Sequence, residues 1–501
     1  KTKAKNDLLQ RLAKTLDTSL SHGGGTLEML RKGFKVSPAK FEMCQFKPAD
    51  GLNPETVSRY GKNRLRVMQQ VHYSNKRRPD GEKHNYSIDL VLFLNGIPVA
   101  TVELKTDHTQ SIHDAVAQYK QDRDPKGEPL LSFGHRALVH FAMSNYEVQM
   151  TTKLAGRDTY FLPFNIGNNG GAGNPSRTDT SPTAYMWEQI WEKDTWLNIL
   201  GRFMHLESIK ETDPVTGEKK LRETLLFPRF HQWSAVTSLV EASRAQGPGH
   251  RYLIQHSAGS GKTNSIAWLA HQLSTLHAEG NKLFDAVIVI TDRTVLDDQL
   301  QSAIKQIDAK TGVVAAISGD GESKSQQLAA ALSGSRPIIV VTIQTFPFVL
   351  DKLREQGEKL GKNFAIIADE AHSSQTGTTA SKLRAVLSDA EFDSYQEGGE
   401  VDIEATLLAE MEARAHAPNL SFYAFTATPK AKTLELFGTQ GEDGLPRPFH
   451  LYTMQQAIEE RFILDVLQNY TPYKVAFKLA HNGQEYDSDA PLVDQAEAVK
   501  E

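Results

Sequence analysis

Tyr252-Leu253-Ile254-Gln255-His256-Ser257-Ala258-Gly259-Ser260-Gly261-Lys262-Thr263 decides how this chain is read. Its first four residues make a short apolar run of strand length, and the glycines that follow break it before a helix can begin. Gly259 and Gly261 let backbone N–H groups close on phosphate oxygens. Lys262 can reach the β/γ-phosphates of a nucleotide, and the Thr263 hydroxyl can ligate Mg²⁺. Gly259, Ser260, Gly261, Lys262 and Thr263 are the candidate phosphate-binding residues. Further short apolar runs follow at Ala286–Thr291, Ile338–Thr342, Phe364–Ala368 and Ser421–Ala424, separated by helical stretches. That alternation predicts a parallel sheet with helices on both faces.

Two of these strands run into short polar strings, Asp369-Glu370-Ala371-His372 and Thr426-Ala427-Thr428-Pro429. About 107 residues separate Lys262 from Asp369, so the acids can return to the metal only through the fold. His256 stands where the phosphate-loop consensus has its first glycine. Loop, acidic string and threonine string together resemble superfamily 2 helicases and translocases, which implies a RecA-like core over 225–465 that uses ATP and Mg²⁺. By that resemblance Asp369 holds Mg²⁺ and Glu370 orients or deprotonates the attacking water. His372, Thr426 and Thr428 couple nucleotide state to DNA.

A second constellation lies upstream, in Tyr86 to Lys105. Asn95-Gly96 between two apolar runs signals a hairpin. A two-residue loop would put Asp89 opposite Val102. A three-residue loop, Asn95 to Ile97, pairs Leu94 with Pro98 and sets Asp89 opposite Glu103. The second register also pairs Ile88/Leu104, Leu90/Val102 and Leu92/Ala100 as an apolar face, and alternation leaves Asp89, Glu103 and Lys105 on the other. The three-residue loop is therefore preferred. Carboxylate oxygens suit Mg²⁺, which activates water for phosphodiester hydrolysis, while a lysine neutralises the developing charge. This block resembles the PD-(D/E)xK nucleases, with Glu103-Leu104-Lys105 as the ExK element. A helix follows from Ser111 to about Arg123, with Asp114, Gln118 and Asp122 on one face. Related nucleases carry Gln-x-x-x-Tyr there. Gln118-Tyr119 departs from that spacing, and only Gln118 carries over as a catalytic candidate.

Composition sets the bounds. A chain of 501 residues that is 39% hydrophobic suits roughly three domains, each with a core. The one cysteine, Cys44, excludes an intrachain disulfide framework and a cysteine-rich zinc site. No apolar stretch reaches membrane-spanning length, no signal-peptide pattern opens the chain, and the expected location is the cytoplasm. The net charge of −5 conceals an asymmetry. Lys1 to Lys83 holds 18 Lys/Arg against 8 Asp/Glu, whereas Glu391 to Glu501 holds 8 against 20. A basic N-terminal region suits a polyanionic partner.

Read along the chain, Leu8–Leu20 and Pro54–Tyr73 are helical or mixed, with a loop at Ser21–Gly25. Gly167 to Pro175 is a glycine-rich break, and Trp187, Trp191 and Trp196 form a stripe assigned to packing. Gln396 to Glu404 reads as a surface insertion. The domains expected are 1–165, an α/β restriction-endonuclease-like unit; 166–224, a linker and helical connection; 225–465, the RecA-like unit; and 466–501, the start of a further region.

A nuclease block, then Leu226-Phe227-Pro228-Arg229-Phe230-His231-Gln232-Trp233, then superfamily 2 motifs, resembles the motor and cleavage (R) subunit of type I restriction–modification enzymes. Phe161-Leu162-Pro163-Phe164-Asn165, the Gly-Asn loop after it and Tyr452 to Glu460 match too, so the resemblance runs from about Phe41 to Tyr473. It implies an ATP-dependent endonuclease that pulls double-stranded DNA, working with methyltransferase (M) and specificity (S) subunits and no membrane. Gln232 would read the adenine, and Arg293, Thr342 and Gln344 would meet the DNA backbone. No second RecA-like domain or arginine-finger string follows Tyr473, and the chain opens on Lys1. A piece of a longer protein is expected, one that binds ATP weakly and does not translocate alone. Two other classes compete: a stand-alone superfamily 2 helicase with a non-catalytic N-terminal nucleic-acid-binding domain, and a non-enzymatic scaffold. Intact Lys262, Asp369 and Glu370 argue against the scaffold.

Overall fold

The computed structural model describes residues 2–77, 81, 82, 84–107, 110–212, 217, 219–291, 294–307, 313–316, 327, 330–332, 336–342, 349, 353, 361–369, 418–441 and 443–465. Arg293, Gln344, Glu370, His372 and the Gln396–Glu404 segment lie outside the described residues.

Six strands hydrogen-bond in sequence order to make the N-terminal sheet: β1 (Leu65–His72), β2 (Ser87–Leu94), β3 (Ile97–Leu104), β4 (Val139–Met143), β5 (Val148–Thr151) and β6 (Leu162–Pro163). All neighbours are antiparallel except β3 and β4. A parallel pair needs a crossover. Helices α1 (Thr2–Asp17) and α2 (Gly25–Lys32) precede the sheet, and α3 (Ile112–Asp122) is the crossover. Ser111 N donates to Asp114 Oδ2 at 2.7 Å and starts α3. Ile112, Ala115 and Tyr119, at helical spacing, bury against one sheet face with Val91 and Ala142. Leu92, Ala100, Val102 and Phe141 face the other way, into a core shared with Leu27 and Leu30 of α2.

The hairpin differs at its tip from the expected loop. Asn95 (φ 52°) and Gly96 (φ 85°) form a two-residue turn with Leu94 across from Ile97. Left-handed backbone at both positions matches the twist of the strands, and Asn-Gly adopts it readily. A bulge between Leu92 and Phe93 then shifts the register, so that Leu92 faces Ala100 and Leu90 faces Val102. Pro98, which lacks an N–H, sits beside this break, where the ladder loses nothing by it. The expected pairing therefore holds at the acidic end, and continuing it sets Asp89 across from Glu103. Leu104 is exposed, and Ile88 joins the core beneath α3. Pro54–Tyr73 is mixed: Asn53 caps a helix over Pro54–Gly61, and β1 follows.

Among the described residues the second sheet has seven parallel strands: β7 (Arg251–His256), β8 (Ala286–Thr291), β9 (Val314–Ala316), β10 (Ile338–Thr342), β11 (Phe364–Asp369), β12 (Leu420–Thr426) and β13 (His450–Tyr452). Their order is β9-β10-β8-β11-β12-β7-β13. The five strands read from sequence are all present; β9 and β13, three residues each, are additions. Val287, Val289 and Ile367 bury on one face beside helices α4 (Phe230–Gln246), α5 (Lys262–Ser274) and α6 (Thr294–Ile307). Ile288, Ile290 and Ile366 bury on the other. Burial on both faces explains the continuous apolar strands.

The two sheets share one core. Phe141 of β4 and Phe164 meet Phe227 edge to face, with ring centroids 5.9 and 5.7 Å apart, and Phe164 meets Phe230 at 5.8 Å. The aromatics of Phe161–Asn165 and Leu226–Trp233 thus serve as packing. Trp196 is wholly buried and Trp191 packs on the same core, whereas Trp187 is exposed. The glycine-rich break docks on helix α7 (Met454–Glu459): Ala172 N donates to Glu459 Oε2 at 2.6 Å and the Thr453 hydroxyl donates to the Gly170 carbonyl. Among the described residues no helix is long and apolar enough to cross a membrane.

Candidate functional site

β2 and β3 bring the acidic residues together at the open end of their hairpin. Asp89, half-buried, accepts from Gln70 Nε2 at 3.0 Å through Oδ1 and from the Leu104 backbone N–H at 2.9 Å through Oδ2. Glu103 is wholly buried, with Arg123 Nε 2.7 Å from its Oε1. Its Oε2 takes no protein N–H or O–H donor, and the Asp89 carboxylate lies within hydrogen-bond reach of the same side chain. Burial first, then the neighbouring Asp89 carboxylate, push the Glu103 carboxyl up to about 7 against the opposing pull of Arg123. Lys105 donates from Nζ to Gln118 Oε1 at 2.8 Å, which ties the residue after β3 to α3. Asp89, Glu103, Lys105 and Gln118 are thereby gathered where β2, β3 and α3 meet. Asp114 is spent on capping α3, and its carboxyl is lowered, chiefly by the Ser111 backbone N–H.

A buried polar network stands behind the acids. Thr101 Oγ1 lies 2.8 Å from Tyr119 Oη and 2.7 Å from His140 Nδ1. Burial drives His140 down to about 3, so it is neutral. A hard divalent cation fits the carboxylate pair: two oxygen donors face each other and one buried oxygen is otherwise unsatisfied. Among the described residues no group of three or more His, Cys, Asp or Glu is arranged to hold a metal, so protein carboxylates would supply only part of a coordination shell.

The phosphate loop bridges β7 and α5. Gly259 (φ 71°) and Gly261 (φ 77°) adopt left-handed backbone, and Gly261 is the N-cap of α5. A side chain at Gly261 would also meet Gln232, whose Nε2 is 2.5 Å from the position of a Cβ. Gln232 Nε2 donates to the carbonyls of Ser260 and Gly261 at 3.2 and 3.0 Å, while its Oε1 accepts from Arg229 N at 2.9 Å. His231 Nε2 lies 3.0 Å from the Ser260 carbonyl, and its ring stacks on Tyr452 at 3.7 Å. The Arg229 guanidinium stacks on Phe462 at 3.5 Å. Lys262 is buried, its Nζ 3.4 Å from the His256 carbonyl. Thr263 is the second residue of α5.

Asp369, Thr342 and Thr426 converge because a parallel sheet ends all its strands on one edge. Gln255 lies beside Thr426, Asp369 beside Phe425, and Thr291 beside Thr342. Asp369, Thr426 and Thr342 therefore share an edge with the phosphate loop, and Thr428 lies two residues past β12.

Sequence reasoning missed the support beneath the loop. His256 is wholly buried, with Nε2 2.9 Å from His450 Nδ1, and His450 Nε2 is 3.1 Å from Ser234 Oγ. The residue replacing the consensus glycine thus knits β7 to β13 and α4. Burial lowers all three nearby imidazoles, His231 to about 3, His450 to about 4, and His256 well below the usual histidine range. The departure from the loop consensus was the available signal. Arg123 and Gln70 were missed as well.

Two stretches of the chain match known protein families. Residues 2–159 match the family model of the type I restriction enzyme R protein N terminus, and residues 231–395 match that of the SWI2/SNF2 ATPase. A putative type I restriction enzyme MjaIXP endonuclease subunit of Methanocaldococcus jannaschii is 24% identical over 360 residues, 68% of this chain and 29% of the relative. The type I restriction enzyme HindI endonuclease subunit of Haemophilus influenzae is 24% identical over 439 residues, 86% of this chain and 36% of the relative. A solved DEAD box protein from Methanococcus jannaschii covers 41% of this chain and 45% of its own at 21% identity, with a TM-score of 0.24. Residues 2–159 are thus similar to the N-terminal domain of type I restriction enzyme R proteins, and residues 231–395 to an SWI2/SNF2 ATPase domain. The chain spans about a third of the length of these curated relatives.

Proposed function

We propose that this chain carries the nuclease domain and first motor lobe of an ATP-dependent, DNA-translocating endonuclease, a type I site-specific deoxyribonuclease. It would act in the cytoplasm on double-stranded DNA, with methyltransferase and specificity subunits. The observation that carries the reading is the wholly buried Glu103 with one oxygen that takes no donor, across the hairpin from Asp89, with Lys105 two residues on bound to Gln118. A solvated strand face has no reason to bury a carboxylate.

Asp89 and Glu103 would hold Mg²⁺, which supplies Lewis acidity and an activated water when bound. Lys105, steadied by Gln118, sits to offset charge on the scissile phosphate. In the motor, backbone N–H groups of Gly259 to Thr263 would cradle the ATP phosphates. Lys262 would neutralise the β/γ-phosphates, and Thr263 and Asp369 would ligate the second Mg²⁺. Glu370 orients water; His372, Thr426 and Thr428 relay nucleotide state; Arg293, Thr342 and Gln344 meet the DNA backbone. Gln232, which braces the loop, would sense the adenine.

The test is Asp89→Ala or Lys105→Ala in the full-length subunit assembled with its partners. DNA cleavage should fall on the order of 10³-fold, the several kcal/mol a metal site contributes, while DNA-stimulated ATP hydrolysis stays within about twofold. Parental cleavage by either variant would remove the nuclease assignment.

A further inference from the structure

Among the described residues Glu103 is the most deeply buried acid, and the lysine of its own motif does not neutralise it. Lys105 gives its ammonium to Gln118. The counter-charge comes from Arg123, the C-cap of α3. Its Nε lies 2.7 Å from Glu103 Oε1, and its Nη2 donates to the Ser87 carbonyl at 2.8 Å. One guanidinium therefore pins the end of α3 to the start of β2 and to the motif glutamate on β3. α3 is also the helix that presents Gln118. On Asp89, Gln70 and the Leu104 N–H occupy one oxygen each. On Glu103 only Oε1 takes an N–H donor; Oε2 is buried without one, and the Asp89 carboxylate lies within hydrogen-bond reach of this side chain. A fork bound through one nitrogen to a single carboxylate oxygen fixes that side chain's rotamer and leaves the other oxygen available.

We propose that Arg123 is a positioning residue of the nuclease centre: it holds Glu103 by Oε1 so that Oε2 is left for the divalent cation. This rests on the nuclease reading above. A merely architectural Arg123, stapling α3 to the sheet, would affect stability but not cation affinity.

The experiment uses the full-length subunit in its assembly, with Arg123→Gln, Arg123→Lys and Glu103→Gln. Two quantities are read beside thermal stability: the Mg²⁺ concentration giving half-maximal DNA cleavage, and Mn²⁺ bound to the nucleotide-free protein by electron paramagnetic resonance. Arg123→Gln should raise the Mg²⁺ requirement about tenfold or more and weaken Mn²⁺ binding to match, with ATP turnover unchanged. Arg123→Lys keeps the charge but loses the fork, and should recover only part of the affinity. Parental Mn²⁺ binding by either Arg123 variant overturns the proposal, and Arg123→Lys decides alone should Arg123→Gln not fold. Glu103→Gln separates the premises. If it cleaves at the parental rate the nuclease reading itself is lost, whereas a dead Glu103→Gln beside unaffected Arg123 variants sinks only the positioning role.

Discussion

Lowering the pH from 7.5 to 5.5 should destabilise this protein through histidines that the fold holds neutral. Burial lowers His140 and His231 to about 3, and His205 and His450 to about 4. An unfolded chain binds a proton at each near pH 6.5, and the folded chain does not until far lower. Stability is therefore full above pH 6.5 and is lost as pH falls towards the folded values. At pH 5.5 each group costs about 1.4 kcal/mol, and the four together about 5 kcal/mol. Glu103 acts with the opposite sign. Its raised carboxyl, near 7, takes up a proton in the folded state first and returns about 2 kcal/mol over the same interval. The net loss is about 3 kcal/mol, a large share of the ~5–15 kcal/mol that holds a domain together. Urea unfolding followed by tryptophan fluorescence at the two pH values measures it, and His140→Asn should flatten the slope. Equal midpoints at pH 5.5 and 7.5 would show that these imidazoles are not buried neutral.

Two further outcomes follow from the phosphate loop. Lys262→Ala should cut ATP turnover in the full assembly by on the order of 10²-fold while the melting temperature holds, because it removes the cation proposed to meet the β/γ-phosphates; turnover at the parental rate with DNA present would refute the loop assignment. Gly261→Ala places a side chain at φ 77° and against Gln232, so it should cost about 1–3 kcal/mol of local stability and weaken nucleotide binding; an unchanged ATP affinity by calorimetry would count against the bracing described.

What was legible in the sequence is what depends on local spacing. The strand–glycine–lysine run, the five apolar strands and the facing of Asp89 with Glu103 all follow from periods of two or from glycine freedom. The tip of the hairpin escaped because two devices, an Asn-Gly turn and a bulge at Pro98, produce the same register as a longer loop. Pro98 carried the clue, since a missing N–H marks a break in a ladder. Arg123 could not be read, because its value lies in a counter-charge delivered 20 residues on by a helix whose packing angle no periodicity encodes. The contact of His256 with His450 spans 194 residues and belongs to the same class. Gln70 holds Asp89 from a left-handed backbone position (φ 49°) inside a strand, which no propensity favours.

The aromatic core between the sheets bears on how such a protein can change over time. Phe141 and Phe164 belong to the half built on the N-terminal sheet, Phe227 and Phe230 to the approach to the parallel sheet, and all four lie in one core. A recombination event that exchanged one half would strip large rings from the other and leave them facing water. The two halves are thus poor cassettes for shuffling, because a substitution at any of these rings is felt by both.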